Sequence, residues 1–387
     1  MNVAGVVAEY NPFHNGHKYH LEQTREHGAD HIVVVMSGDA VQRGDVAIFS
    51  KYERAQIALK HGADLVVELS APYSCAPAQV FAENAVRLLA GFGEGVVSSI
   101  SFGSACSDAG LLEKAQQECA RLEDSEDFKE LIASGHSYPM AMQKAVEKNC
   151  PEIKDVLNDA NNVLAVEYIK AAKAVAPWIK LICVQRCGTF HDDMEVNGDL
   201  ASGSLIRRMI RYKTDMSKLT PEIPSSSPAY LENMDKALLF RLMTADEDLV
   251  EELPFMSQSL ANKFYKVVQT CPASVAEFER LIKSKDITMA RIRRMVMHLA
   301  LGICDQDMHV PVPYGRILAL NERGAEILAA AKNRTLDYDT SLSKLEKDID
   351  CRRVAMLECN AVRLREVCAG DAFSNEYTRQ IVLTKHW

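Results

Sequence analysis

The stretch Val3-Ala4-Gly5-Val6-Val7-Ala8-Glu9-Tyr10-Asn11-Pro12-Phe13-His14-Asn15-Gly16-His17 decides how the rest of the chain is read. Val3 to Ala8 is a short apolar run of the kind found in strands buried inside a parallel sheet. Asn11-Pro12 marks a tight turn, and helical spacing runs from Gly16 to His27. A strand that turns directly into a helix presents the helix's first backbone N–H groups, unpaired and partly positive, at the end of the sheet, where they favour phosphate. Gly16 lets the backbone come close to a ligand. His14 and His17 stand three apart, so both imidazoles donate hydrogen bonds to a polyphosphate and stabilise charge at the α-phosphate as pyrophosphate leaves in line. Positioning and electrostatics carry such a transfer without a covalent enzyme intermediate. A histidine pair at this spacing alone reads equally as metal ligands or surface residues. Its place at the first strand-to-helix turn points to a nucleotide.

Further strands are expected at His31 to Met36, Leu65 to Leu69, Val96 to Ile100 and Lys180 to Val184. Helices fall between them, at Lys51 to His61, Ala78 to Leu89 and Val163 to Ala174. This alternation predicts an α/β fold, a Rossmann-like parallel sheet with helices on both faces. Residues 107–158 carry no strand signal and read as a helical insertion. The Pro- and Ser-rich run Thr220 to Pro228 is a linker candidate. The chain therefore divides into a catalytic domain over 1–219 and an all-helical domain over 220–387, with a short extended piece around Val310 to Leu320.

The 387 residues are 48% hydrophobic and 25% charged, ordinary for a soluble protein. No apolar run is long enough to span a bilayer, and no basic segment precedes the first apolar stretch, so neither a membrane nor a secretory leader is expected. The 11 cysteines lack any CxxC pair, which argues against disulfides and a structural zinc site and fits a reducing cytoplasm. The net charge of −9 confines any nucleic-acid contact to a local basic patch.

Phe13-His14-Asn15-Gly16-His17 is similar to the HxGH signature of the nucleotidyltransferase superfamily. Within it, Glu9 to His17, Met36-Ser37-Gly38 with Val41-Gln42-Arg43-Gly44, Lys51 to Leu69, Asn161 to Ile169, Gln185-Arg186, Ile287 to Leu301 and Pro313 to Leu318 resemble the tRNA(Met) cytidine acetate ligase family. The resemblance implies two steps: acetate attacks ATP to give acetyl-adenylate and pyrophosphate, then N4 of the wobble cytidine of elongator tRNA(Met) takes the acetyl group and AMP leaves. A weak amine attacks only an activated acyl group, and the cytosine has to leave the anticodon stack.

By the same resemblance His14 and His17 are catalytic. Val7, Ala8, Glu9, Tyr10, Asn11, Pro12, Phe13, Asn15, Gly16, His20, Gly103, Asn161, Arg186, Ser202 and Arg207 join them in contacting ATP. Ser37, Gly38, Gln42 and Arg43 form a polar loop at the same end of the sheet. Mg²⁺ is expected with the triphosphate, although no metal-ligand set is visible. Asp39, Ala40, Ala105 and Gly203 depart from the family pattern, and a carboxylate at Asp39 would repel phosphate unless it faces a cation.

Arg291, Arg294 and His298 share one helix face opposite an apolar stripe of Ile292, Met295, Val296 and Leu299. That face reads either as a solvated surface or as a tRNA-backbone contact, which Arg207, Arg208 and Arg211 extend from the catalytic side. His191 with Asp192-Asp193 offers metal-ligand types but reads rather as a surface loop. The expected partners are tRNA and acetate, without DNA or a membrane. A small-molecule adenylyltransferase of the same fold, or a tRNA- or nucleotide-binding protein that has lost catalysis, are the alternatives.

Overall fold

A computed structural model describes every residue except 107, 135, 137, 187–195 and 384–387; His191, Asp192 and Asp193 therefore lie outside the described residues. The strands are β1 (Val3–Ala8), β2 (His31–Ser37), β3 (Ala40–Val41), β4 (Asp45–Val46), β5 (Leu65–Leu69), β6 (Val97–Ser104), β7 (Lys180–Gln185), β8 (Tyr314–Leu320), β9 (Asp337–Asp339) and β10 (Val382–Leu383). Seven of them lie side by side in the order β10-β8-β5-β2-β1-β6-β7, β9 pairs with β8, and β3 with β4 forms a separate hairpin. From β5 to β7 all pairings are parallel, as the strand–helix alternation predicts.

Side chains of alternate strand residues go to opposite faces. Ala4, Val6, Ile32, Val34, Met36 and Val66 pack on one side against α1 (Asn15–Glu26) and α2 (Lys51–Lys60). Val3, Val33, Val35, Leu65, Val67 and Ile100 pack on the other, together with α3 (Ala78–Ala90). Helices α4 (Ala109–Glu123), α5 (Glu126–Ala133) and α6 (Tyr138–Asn149) make up the insertion expected over 107–158, and α7 (Ala160–Val175) returns the chain to β7. Then α8 (Gly203–Arg211) leads into the segment before Thr220.

The C-terminal part departs from the all-helical expectation. The extended piece at Val310 to Leu320 contains β8, which enters the main sheet antiparallel to β5, pairing Leu65 with Leu320 and Glu68 with Arg316. An apolar strand with no partner among its neighbouring helices finds one on the open edge of β5, which would otherwise present unpaired N–H and C=O groups. Before β8 come α9 (Asp235–Met243), α10 (Glu247–Glu251), α11 (Gln258–Gln269), α12 (Val275–Ile282) and α13 (Met289–Leu301). They share a core in which Phe264 and Phe278 meet edge-to-face at 5.3 Å and the expected stripe of Ile292, Met295, Val296 and Leu299 is buried. Three helices follow: α14 (Glu322–Ala330), α15 (Leu342–Leu345) and α16 (Ile349–Ala369). Among the described residues no helix is long and apolar enough to cross a membrane.

Chain order reverses between β1 and β6: β2 and β5 lie to one side of β1, and β6 and β7 to the other. Open parallel sheets bind ligands in the crevice outside the carboxyl ends of strands at such a reversal.

Candidate active site

A cleft opens at that position, lined by the ends of β1 (Val7, Ala8), β6 (Phe102, Gly103) and β7 (Val184, Gln185). Three helices begin beside it. Asn161 of α7 lines it, as do Ala201, Gly203, Ser204 and Arg207 around the start of α8 and His14, Gly16, His17 and His20 of the first turns of α1. Three N-termini aimed at one volume make it a site for anions before any side-chain charge is counted.

The histidine pair has a local structural role that also sets its chemistry. His14 is the N-cap of α1, with extended backbone, and its Nδ1 accepts the Gly16 N–H at 3.1 Å. His17, at the third helical position, returns the contact: its Nδ1 accepts the His14 N–H at 3.2 Å. This is a capping box built from two imidazoles in place of the usual hydroxyl and carboxylate. The rings stack with centroids 3.7 Å apart. An Nδ1 that accepts a backbone N–H cannot carry a proton, so in both neutral rings the proton sits on Nε2. Each ring is thereby preset as an Nε2–H donor. Burial first, with the positive charge of Arg186 adding to it, lowers the pKa of His17 well below the usual imidazole range. Burial and Arg186 bring His20 down to about 4.

A chain of hydroxyls fixes His20 as well. Thr24 Oγ1 donates to the His20 carbonyl (2.8 Å), so the Ser101 hydroxyl donates to Thr24 Oγ1 (2.7 Å) and accepts from His20 Nε2 (3.0 Å). The Arg207 guanidinium donates to the Asn11 carbonyl (2.7 Å) and to Ser204 Oγ (3.1 Å), joining the start of α8 to the turn before α1.

Most residues expected at the site are brought together here. Val7, Ala8, Glu9, Tyr10, Asn11, His14, Gly16, His17, His20, Gly103, Asn161, Arg186 and Arg207 line the cleft, and Gln42 and Arg43 reach it from the hairpin loop. Others are placed elsewhere. Asn15 turns its amide to the carbonyls of Asp199 and Lys218, both at 2.8 Å. Phe13 is buried against Tyr10 and His61, and Pro12 follows a cis Asn11–Pro12 bond in the turn. Ser202 caps α8, its Oγ accepting the Leu205 N–H. Ser37 is buried, and Gly38 is packed so closely that a Cβ there would lie 2.4 Å from a Glu358 oxygen.

Two of the departures from the family pattern, Asp39 and Ala105, have a structural account. Asp39 does not face the cleft's anion site. It is buried, its Oδ1 accepts the Lys51 N–H at the start of α2, and it meets Arg54 at 3.4 Å. Ala105 donates its N–H to Asn162 Oδ1, which also accepts from Ser104 and Cys106 and so shapes the end of β6 without a carboxylate.

Sequence reasoning missed Arg54. It is buried and donates to four carbonyls, those of Phe49, Glu9, Ser37 and Gly38, which ties the ends of β1 and β2 together. Its signal in the sequence is weak, an arginine one turn after Lys51 among the apolar residues Ala55, Ile57, Ala58 and Leu59. The basic face of α13 also needs correction. His298 is 2% exposed and donates Nε2–H to the Cys75 carbonyl at 2.7 Å, and burial lowers its pKa to about 4. It is a neutral core residue, because α13 is covered on this side by α16 and the Tyr73–Cys75 turn. Arg294 donates to the Gln42 carbonyl and Arg291 to the Phe255 carbonyl.

Gly44 closes the loop that carries Gln42 and Arg43. Its φ is +77°, and a Cβ there would lie 2.3 Å from the backbone nitrogen of Arg294. Gly44→Ala is expected to cost about 2 kcal/mol or more, combining left-handed strain with a backbone clash. Urea unfolding checks the stability, and ATP titration is expected to show weaker binding as the loop shifts.

The chain was compared with known proteins. A family model described as HIGH Nucleotidyl Transferase matches residues 1–380. A tRNA(Met) cytidine acetate ligase of Clostridium tetani (strain Massachusetts / E88) is 34% identical over 377 residues, covering 90% of this chain and 92% of the relative. A protein of the same name from Thermoanaerobacter sp. (strain X514) is 36% identical over 375 residues, covering 90% and 91%. The crystal structure of Thermotoga maritima TmcAL bound with alpha-thio ATP superposes with a TM-score of 0.88 at 28% identity, covering 100% of both chains.

Proposed function

Because this chain belongs to the HIGH nucleotidyl transferase family and, within it, to the tRNA(Met) cytidine acetate ligases, we propose that it activates acetate with ATP and transfers the acetyl group to N4 of the wobble cytidine of elongator tRNA(Met). The observation that carries this reading is the preset pair of Nε2–H donors at a cleft where three helix N-termini meet.

ATP binds with its triphosphate over the start of α1. The Nε2–H groups of His14 and His17 donate to phosphate oxygens, and Gly16 leaves the backbone open to them. Acetate attacks the α-phosphorus, the bond to the β-phosphate oxygen breaks, and pyrophosphate leaves. The two imidazoles and Arg207 stabilise the charge that builds up. Their hydrogen bonds to the capping box and to Asn11 hold them in place beforehand, so little reorganisation accompanies the reaction. Among the described residues no group of three or more His, Cys, Asp or Glu side chains gathers to hold a metal. Mg²⁺ is expected to accompany the triphosphate, which supplies oxygen ligands of its own.

The tRNA meets the outer face of α8. Arg208, Arg211 and Tyr212 are exposed just beyond the residues that line the cleft, Tyr212 at 69%. Arg211 lies 4.7 Å from the Tyr230 ring. An exposed tyrosine beside arginines offers a splayed-out base a stacking partner and its phosphate a charge. Arg294 meets the hairpin loop at the Gln42 carbonyl. Tyr212→Ala is expected to raise the KM for tRNA about 5- to 100-fold, the range for one lost stacking contact. Acetate-dependent exchange of pyrophosphate into ATP, measured without tRNA, should change less than twofold.

The reading is tested by incubating the protein with ATP, acetate and tRNA and analysing the nucleosides by mass spectrometry. N4-acetylcytidine that requires all three supports it. ATP turnover indifferent to acetate and tRNA contradicts it.

A further inference from the structure

The two half-reactions differ in one respect that the cleft has to accommodate. Acetate is already a carboxylate, so its attack on the α-phosphorus releases no proton. The N4 amine of cytidine has two protons and has to lose one to become an amide. A base is therefore needed in the second step alone.

Few groups at the cleft accept a proton. The Nδ1 atoms of His14 and His17 are occupied by backbone N–H groups. His20 is committed to Ser101 through Nε2, and burial beside Arg186 leaves its remaining nitrogen only weakly basic. The other charged side chains are arginines. Among the described residues that line the cleft, Glu9 is the one carboxylate.

Glu9 is also firmly placed. It is the first residue after β1, its carbonyl accepts from the buried Arg54 guanidinium at 2.5 Å, and its Oε1 accepts the Gln42 N–H at 2.9 Å. Both contacts come from elements that carry no part of the triphosphate site. The first holds the Glu9 backbone, and the second anchors the carboxylate through Oε1, so that Oε2 is the oxygen offered to a substrate. Gln42, which holds Oε1, and its neighbour Arg43 line the cleft beside Glu9.

We propose that Glu9 is the proton acceptor of the acetyl-transfer step. N4 of cytidine attacks the carbonyl carbon of acetyl-adenylate, and the new N–C bond forms. The C–O bond to the phosphate breaks, AMP leaves with that electron pair, and the N4 proton passes to the Glu9 carboxylate and then to solvent. The assignment rests on the acetyl-transfer reading above.

Glu9→Gln tests it, because the amide oxygen still accepts the Gln42 N–H and only basicity is lost. Two rates are compared in wild type and variant: acetate-dependent ATP–pyrophosphate exchange without tRNA, and single-turnover transfer from preformed acetyl-adenylate to tRNA. Transfer is expected to fall at least about 100-fold further than exchange, the lower end of what a positioned base contributes. Glu9→Asp should recover part of the rate. Surviving exchange shows that the variant is folded. Equal losses in both rates, or no loss in transfer, overturn the role of Glu9. If the wild-type protein itself shows no acetate-dependent exchange, the proposed function fails, whatever the variant does.

Discussion

His17→Ala is expected to lower kcat/KM for acetate-dependent ATP–pyrophosphate exchange by about 100- to 1,000-fold, the cost of deleting one preorganised donor to developing charge. The same substitution removes half of the capping box, so stability and catalysis change together. His17→Gln separates them: glutamine at this position still accepts the His14 N–H but does not place a ring N–H over the α-phosphate. The glutamine variant should therefore keep wild-type thermal stability and lose nearly as much activity as the alanine variant. His14→Asn makes the matching test at the N-cap. Asparagine caps as well as any residue, whereas alanine costs about 1 kcal/mol of helix stability. Stacking of the two rings makes their contributions non-additive, and the double variant should lose much less than the product of the two single losses.

The second large effect is on folding. Lys51, at the start of α2, is fully buried. Its Nζ lies 2.6 Å from Glu68, 2.9 Å from Glu358 of α16 and 2.9 Å from Glu376. Arg316 of β8 joins the group at 2.6 Å from Glu376. Three carboxylates against two cations would leave a buried negative charge. Burial and the neighbouring Glu358 instead push Glu68 up to about 8, while Lys51 draws Glu358 down. With Glu68 protonated, two positive and two negative charges remain.

Lys51→Met strands the carboxylates and is expected to cost about 3–5 kcal/mol, the usual price of removing one partner of a buried ion pair. Urea unfolding reads the loss. The network also predicts a pH dependence. Glu68 has a folded-state pKa above its unfolded value of about 4.3, so its protonated form contributes stability in full below that value. The contribution is lost as pH rises through about 8. Glu68→Gln should flatten that alkaline decline.

How far the sequence could be read depended on the range of the interactions. The strands β1, β2, β5, β6 and β7 and helices α1, α2, α3 and α7 follow from local periodicity, and each falls within a few residues of its expected place. The strand-to-helix turn at His14 is likewise local. What escaped depends on partners distant in the chain. The pairing of β8 with β5 joins residues some 250 apart. The partners of Asp39, at Lys51 and Arg365, and of His298, at Cys75, lie across separate elements. His298 looks solvated from its place beside Arg291 and Arg294 until α16 and the Tyr73–Cys75 turn are known to cover it. Asn15 sits inside the signature yet serves the segment at Asp199 and Lys218, a contact that no spacing within the motif encodes.

The most direct test of the central claim is ATP–pyrophosphate exchange measured with and without acetate, in the absence of tRNA. The preset imidazole donors and the three converging helix starts predict exchange that requires acetate and collapses in His17→Gln while the protein stays folded. Exchange that is absent with acetate, or that persists undiminished in His17→Gln, would contradict it.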